Sequence, residues 1–176
     1  MSMTKNRSVA SKTASKSSTR KSSASADAIR LLTTDHEEVK QMFAAYDDLV
    51  EAEAEDEERQ ALATQICEAL TIHATVEEEL FYPAARAELE EQDLLDEAEV
   101  EHASAKDLIA QIQSMSPSDD LYDAKVKVLG EYIDHHVQEE EGEMFPKVRK
   151  SSIDLVALGE EMLTRKQELG AEVETN

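Results

Sequence analysis

The chain has 176 residues, with 18 basic and 40 acidic side chains, and its formal net charge at pH 7 is −22. Such an acidic protein repels phosphates and anionic lipids, so we expect neither nucleic acid nor membrane as a partner. The single cysteine excludes an internal disulfide, and no apolar run is long enough to predict a transmembrane helix.

The basic residues are concentrated at the N-terminus. The first 26 residues contain six bases and no acid, so the remaining 150 carry a net charge of −28. We predict a disordered basic tail over residues 1–25 and one folded domain over residues 26–170. The tail is interpreted as a solubiliser, as a weak docking segment for phosphate or a partner, or as an organelle transit peptide. It lacks the apolar segment of a secretory signal, and we expect a cytoplasmic protein.

From residue 26 onward, apolar residues recur at steps of three and four, as in amphipathic helices. The predicted segments are residues 26–50, 62–81, 95–112, 121–140 and a shorter one at 153–169. Pro83 should kink or end the second helix, Gly142 and Pro146 should end the fourth, and Ser118 offers a cap before it. We therefore predict an all-α fold, an up-down-up-down four-helix bundle with a short C-terminal fifth helix.

Six polar residues replace apolar ones on the inward faces of these helices. They are His36, His73, Glu77, His102, His136 and Glu140. A buried glutamate without a partner costs several kcal/mol or becomes protonated. A metal ion removes that cost, because it neutralises the carboxylates and uses the imidazoles as ligands. We therefore predict that these six residues bind metal.

The spacing of these residues repeats. His73 and His136 each precede a glutamate by four residues and a proline by ten, and a lone histidine lies 37 and 34 residues upstream of them. A four-residue step places both side chains on one helix face. The domain is thus predicted to be a doubled helix pair. His135 competes with His136, but the common proline spacing and the apolar periodicity favour His136.

The residues around the six receive simpler interpretations. Tyr132 could reach the site as a hydrogen-bond donor, the other tyrosines are expected to pack, and Cys67 belongs in or beside the core. Solvated helix faces are expected for Glu78, Glu79, Glu139 and Glu141, with support of the metal ligands as the alternative. A rim or solvent position is expected for Lys106.

Imidazole and carboxylate ligands suit iron, manganese or zinc better than calcium or magnesium. Six ligands exceed the four of a structural zinc site and suit two metal ions. If both glutamates bridge, each metal receives two nitrogens and two oxygens. A bridging oxo or hydroxo group would leave about one open position per metal, where O₂, peroxide or NO would bind.

The motifs resemble the hemerythrin-like, or hemerythrin HHE cation-binding, family over about residues 27–166. The matching segments are Asp35-His36, His73-x3-Glu77 with Phe81-Tyr82-Pro83, Glu101-His102, His136-x3-Glu140 with Phe145-Pro146, and Leu158-Gly159-Glu160-Glu161-Met162. This resemblance implies a four-helix bundle with a non-haem di-iron centre. Its implied ligands are the six residues named above.

The resemblance to the oxygen-carrying hemerythrins breaks at Lys106, where those proteins have a further histidine. With one histidine fewer and two glutamates, the implied ligand set is closer to that of the HHE domain of the iron-sensing F-box ubiquitin-ligase subunit and of bacterial HHE proteins. This implies binding or sensing of O₂, peroxide, NO or iron, as in stress response, rather than reversible oxygen carriage. Turnover of peroxide or NO, and metal storage or interaction, are the alternatives. No dedicated proton donor and no oligomeric state can be read from the sequence.

Overall fold

The computed structural model describes Met1, residues 27–90 and residues 92–174. The predicted disordered tail, residues 1–25, lies outside the described residues apart from Met1. All regular elements in the described part of the chain are helical, and no strand occurs there. The predicted all-α fold class is confirmed.

Long helices build the bundle, and two of them are interrupted by π-helical turns. In chain order the elements are α1 (Ala28–Glu51), α2 (Asp56–Val76), the π-helical turn π1 (Glu77–Phe81), α3 (Tyr82–Glu88), α4 (Asp93–Gln113), α5 (Tyr122–Glu139), the π-helical turn π2 (Glu140–Met144), α6 (Phe145–Val148) and α7 (Leu155–Glu174). Helix α1 packs against α2 and α5, and α4 packs against the same two helices. Helix α7 covers α1 and α2.

The first helix begins close to the predicted boundary. The carboxylate of Asp27 accepts a hydrogen bond of 2.9 Å from the backbone N–H of Arg30. An acidic N-cap satisfies a backbone donor that the helix itself leaves free, and it also interacts favourably with the helix dipole.

The prolines do not end their helices as expected. Helix α2 passes through π1 into α3, and α5 passes through π2 into α6, so the helical path extends to Val148. Pro83 and Pro146 lie at the start of the α-helical segments that follow the π turns. A missing N–H is tolerated at that position. Gly142 lies inside π2 and does not end the helical path.

Two further expectations differ from the structure. Ser118 does not cap α5, which begins after Leu121 without any side-chain cap. The carboxylate of Asp119 instead closes the preceding turn by accepting the backbone N–H of Ser116 at 2.8 Å. Helix α7, which is the predicted C-terminal fifth helix, is also longer than expected, with 20 residues. Its start is capped by Asp154, whose Oδ1 accepts backbone N–H groups at 3.0 and 3.2 Å.

The six polar residues form a layer between two apolar clusters. One cluster includes Leu32, Phe81 and Met162, and the other includes Ile66 and Leu129. Along α1, Leu32 and Val39 belong to different clusters and His36 lies between them. The polar layer is therefore enclosed by apolar side chains at both ends. None of the described helices has the length and apolar character needed to cross a membrane.

Candidate metal centre

The structure brings together all six residues that the sequence singled out. One histidine comes from each long bundle helix, and the two glutamates begin π1 and π2. Each of the six is no more than 7% exposed: His36, His73, Glu77, His102, His136 and Glu140. The polar layer is thus a convergent cluster and not a set of separate core substitutions.

In each π-helical turn, two consecutive glutamates face different groups of the centre. Glu77 points into the centre, whereas Glu78 reaches the Nδ1 atom of His102 at 3.0 Å. In the second half, Glu140 points inward and Glu141 reaches Nδ1 of His36 at 2.9 Å. π-Helical turns are energetically poorer than α-helix and occur frequently at functional sites.

The four histidines form two pairs whose Nε2 atoms face each other. Nε2 of His36 lies 3.2 Å from Nε2 of His73. The distance between the Nε2 atoms of His102 and His136 is also 3.2 Å. Ligand atoms that share a metal at about 2.1 Å are separated by roughly 3.0–3.5 Å, so both pairs have the spacing of ligands to one ion.

Each glutamate lies between the two histidine pairs. Oε2 of Glu77 is 3.2 Å from Nε2 of His73 and 3.4 Å from Nε2 of His102. Oε2 of Glu140 is 3.4 Å from Nε2 of His36 and 3.6 Å from Nε2 of His136. Both carboxylates therefore lie within reach of both histidine pairs.

A carboxylate also faces the Nδ1 atom of each histidine, on the side away from the centre. The pairs are His36 with Glu141 at 2.9 Å, His73 with Asp35 at 3.5 Å, His102 with Glu78 at 3.0 Å and His136 with Glu101 at 2.7 Å. An ionised carboxylate only accepts hydrogen bonds, so Nδ1 carries the hydrogen. The Nε2 lone pairs of the neutral rings are then free to bind metal.

Sequence reasoning did not assign this role to Asp35 or Glu101, and it offered the role to Glu78 and Glu141 only as the alternative. Glu78 and Glu141 were expected on solvated faces, yet each accepts a hydrogen bond from a site histidine. A signal was present, because each outer acid lies directly beside one of the six residues in the chain. Lysines neutralise two of the outer acids. Lys106 binds both oxygens of Glu78 at 2.6 and 2.7 Å, and Lys166 of α7 binds Oδ1 of Asp35.

Tyr82 is the hydroxyl donor at the centre, in place of Tyr132. Its hydroxyl donates to Oε1 of Glu140 at 2.9 Å and lies 3.2 Å from Nε2 of His102. Burial, followed by the charges of Glu77 and Glu140, raises the pKa of Tyr82 well above its ordinary value. The phenol therefore keeps its proton. Tyr132 is 50% exposed and lies on the outer surface, so the prediction that it could reach the site was wrong.

Of the two adjacent histidines, the structure places His136 in the centre. His136 is 3% exposed, whereas the side chain of His135 is 66% exposed. His135 instead lies beside Glu101 and Glu139 on the surface.

The buried charges strongly perturb the pKa values of the centre. Burial alone would lower the pKa of His73, but Glu77, Asp35 and Glu140 outweigh it and raise the pKa to about 10. Burial would likewise raise the pKa of Glu77, but His73 and His102 hold it well below the usual range. Positive charge thus stabilises the ionised form of Glu77, and either protons or metal ions can supply it.

Three buried carboxylate oxygens indicate whether the cluster is suited to a metal ion. Among the described residues, Oε1 and Oε2 of Glu77 and Oε2 of Glu140 have no hydrogen-bond partner. Unpaired buried carboxylate oxygens are rare because their desolvation is expensive. They converge with four imidazole nitrogens, a donor set that suits iron, manganese or zinc. The residues present therefore fit a metal centre.

Comparison with known proteins agrees with this geometry. The family model for the hemerythrin HHE cation binding domain matches residues 27–148. The chain belongs to this family. The resemblance inferred from the motifs is confirmed, and with it a domain that binds metal cations, typically iron.

Individual relatives of the HHE domain add further detail. The crystal structure of a hemerythrin HHE cation binding domain-containing protein from Mycobacterium kansasii matches with a TM-score of 0.69 and 26% identity. That match covers 83% of this chain and 88% of the other. A DNA nickase from Nostoc sp. is 31% identical over 128 residues, which is 71% of this chain and 33% of the nickase. The chain thus spans about a third of the length of that relative.

A small cavity lies against the four histidines of the HHE domain. Its volume is about 20 Å³, and it is lined by the histidines together with apolar side chains that include Val39, Leu70 and Ile109. This volume holds about one water-sized molecule. A larger cavity of about 570 Å³ lies between α1 and α5 and shares His36, Ile133 and Val137 with the small one. The shared lining residues place the two cavities next to each other, on the α1 and α5 side of the centre.

Proposed function

We propose that this protein holds two iron ions in a non-haem di-iron centre and binds or senses O₂, peroxide, NO or iron itself, as in a stress response. The observation that carries the proposal is the convergence of four Nε2 atoms with three buried, unpaired carboxylate oxygens. The proposed ligands are His36, His73, Glu77, His102, His136 and Glu140.

Two ligand groups support a pair of ions over a single one. His36 and His73 form one group with both glutamates, and His102 and His136 form another with Glu77. We therefore assign one histidine pair to each iron, with Glu77 and Glu140 between them. Positions on the irons that these side chains do not fill would be available to a small ligand.

The surrounding residues prepare the centre for a small ligand. A bound pair of irons would supply electron exchange with oxygen or nitrogen ligands. The outer carboxylates fix the orientation of the imidazoles and raise their basicity. The apolar walls around Leu70 and Ile109 exclude bulk water, and Tyr82 offers one hydroxyl donor beside His102. The 20 Å³ cavity favours diatomic ligands and peroxide over organic substrates.

Turnover of peroxide or NO is the second candidate function, and Tyr82 favours it. A hydrogen-bond donor beside the irons would stabilise charge that develops on a reacting ligand, and this buried hydroxyl lies 3.2 Å from a proposed ligand nitrogen. Metal storage, the third interpretation, gains little support, because the buried ligand groups in the described residues suit two ions only.

We propose no action on DNA, although one relative is named a nickase. The net charge of −28 after residue 26 opposes phosphate binding. A cytoplasmic location is proposed because the single thiol, Cys67, forms no disulfide.

Metal analysis and optical spectroscopy test the di-iron proposal. We expect about two iron ions per chain and a near-ultraviolet band from oxo-to-iron charge transfer. His73→Ala and His136→Ala should each abolish the band, whereas His135→Ala, which changes the exposed neighbour, should keep it. Full iron retention in both buried variants would overturn the assignment.

Oxygen evolution from peroxide separates an enzyme from a binding protein. Iron-loaded protein should produce O₂ faster than the same concentration of free iron if the centre turns peroxide over. A rate equal to that of free iron would remove this second candidate and leave the binding function intact.

A further inference from the structure

A second group of metal-ligand side chains lies on the surface of α4 and α5. Nε2 of His135 is 3.6 Å from Oε1 of Glu101 and 3.5 Å from Oε1 of Glu139. These atoms lie within 4.8 Å of one another, the same range as the buried ligand groups. His135 and Glu139 are one helical turn apart, and Glu101 reaches them from the neighbouring helix.

The doubled architecture shows that this group is specific to one half of the domain. Glu101 corresponds to Asp35, because each directly precedes the upstream histidine of its half. By the same comparison, His135 corresponds to Ile72 and Glu139 corresponds to Val76. In the first half, Val76 belongs to an apolar cluster that contains residues of α7. Two apolar residues are thus replaced by two metal-ligand residues.

The charge compensation of the two halves differs at the same place. Asp35 binds His73 with one oxygen and the ammonium of Lys166 with the other. Glu101 binds Nδ1 of His136 through Oε2 at 2.7 Å, and its Oε1 faces His135. Within residues 27–90 and 92–174, neither Glu101 nor Glu139 makes an ion pair with lysine or arginine. Lys166 thus compensates the charge of Asp35 in the first half, whereas no lysine or arginine of the described residues has that role beside Glu101 in the second half.

We propose that Glu101, His135 and Glu139 form a surface site for a divalent transition cation such as Zn²⁺ or Fe²⁺. One imidazole and two carboxylates are suitable ligands for such ions, and the two imidazole–carboxylate separations, 3.5 and 3.6 Å, lie at the upper end of the spacing of ligands to one ion. The cation takes the charge-compensating role that Lys166 has beside Asp35. Because His135 is mostly exposed, water completes the coordination and the ion exchanges readily.

The shared carboxylate places this surface ion directly behind the buried centre. Glu101 contacts the surface group through Oε1 and His136 through Oε2. A cation on Oε1 draws charge from the carboxylate and weakens its hydrogen bond with His136. This coupling rests on the proposed di-iron centre, whereas binding of the surface cation does not.

Zinc titration of the full chain by isothermal calorimetry tests the surface site. Wild-type protein should bind one more Zn²⁺ than His135→Ala, and Glu139→Gln should weaken that site at least about tenfold. Glu143→Gln removes a charge from the exposed surface of π2 and serves as the matched control, with binding unchanged. Identical stoichiometry in wild type and His135→Ala, or an equal loss in the control, would overturn the proposal.

Crystals soaked in Zn²⁺ provide a second readout. An anomalous difference peak should lie between the three side chains in wild type and disappear in His135→Ala. A wild-type map without the peak contradicts the proposal. Neither variant alters one of the six buried residues, so a buried centre without iron would refute the di-iron proposal and leave this result interpretable.

Discussion

Tyr82 and Phe145 occupy equivalent positions in the two halves of the bundle, and only Tyr82 brings a hydroxyl group to the centre. Each residue directly precedes a proline. The ring of Phe145 stacks on His36, with centroids 5.9 Å apart and planes 7° from parallel. The hydroxyl of Tyr82 donates to Glu140 at 2.9 Å on the opposite side. The two halves of the centre are therefore chemically unequal.

The first prediction concerns this inequality. If the centre turns peroxide over, Tyr82→Phe should keep about two irons per chain but slow that turnover by about 10²–10³-fold, the usual effect of removing one positioned hydrogen-bond donor. It should also destabilise the fold by about 1–3 kcal/mol, since Oε1 of Glu140 loses its donor. Peroxide kinetics and thermal melts of iron-loaded protein measure both effects. Tyr132→Phe is the control on the outer surface, and equal rates in the two variants would assign Tyr82 a packing role only.

The second prediction compares adjacent glutamates of π1. Glu78→Gln should weaken iron binding about 10–100-fold, because the His102 Nδ1–H loses an ionised acceptor. Glu79→Gln should change it little, because Glu79 forms an exposed ion pair with Arg165. Competition with a chelator of known affinity measures the difference. A similar loss in both variants would indicate a general effect of surface charge instead of a specific contact.

The third prediction concerns protons and metal ions as alternative sources of positive charge. Without metal, the raised pKa of His73, about 10 against 6.5, means that the folded protein holds more protons than the unfolded chain above pH 6.5. This stabilisation is complete below that pH and is lost as pH rises through about 10. The melting temperature of metal-free protein should therefore fall across this window.

Metal binding should remove the extra proton from His73, because an imidazole that coordinates a metal through Nε2 has lost the proton on that atom. Iron binding at pH 7 should release protons, and its affinity should decrease as pH falls. Calorimetry in buffers of different ionisation enthalpy counts the released protons. Metal binding without proton release at pH 7 would show that His73 is neutral in the metal-free fold.

The six buried residues were predictable from sequence because the helical period projects them onto inward faces. His36 lies seven residues from Ile29 and Phe43, and each site histidine fits its stripe in this way. The π-helical turns were not predictable from the sequence. One extra residue in a turn changes the spacing of the apolar residues so little that the pattern still resembles that of an α-helix. Among 40 acids, the outer carboxylates are distinguished in the sequence only by their position directly beside one of the six residues. Lys166 comes from α7, and its contact with Asp35 depends on how that helix packs.

The fourth prediction concerns the single cysteine. Cys67 is 1% exposed, and burial, with a further effect of Glu68, raises its pKa to about 11. The thiolate is the reactive form, so at pH 8 the folded protein should react with a disulfide reagent far more slowly than the unfolded protein. Absorbance of the released thiol, with and without denaturant, measures the ratio. Rapid reaction of the folded protein would indicate opening of the α2 region on the timescale of the assay.

The fifth prediction concerns the path to the centre. Ile133 lines both the 20 Å³ cavity at the histidines and the 570 Å³ cavity between α1 and α5. If ligands pass from one cavity to the other, a bulkier side chain at this position should obstruct them, because it lies beside both. Ile133→Trp should therefore slow azide binding to iron-loaded protein by at least about tenfold while iron content stays unchanged. Ile133→Ala should accelerate it.

Stopped-flow absorbance of the azide complex gives these rates, and the variant's iron content shows that the centre is intact. Tyr132→Trp adds bulk at the adjacent position, where the side chain is 50% exposed, and should leave the rate unchanged. Equal rates for Ile133→Trp and wild type would mean that ligands arrive by another route, such as the cleft beside Tyr82 and Lys106. Because azide is an anion and O₂ is neutral, measuring both separates steric obstruction from repulsion by the acidic surface.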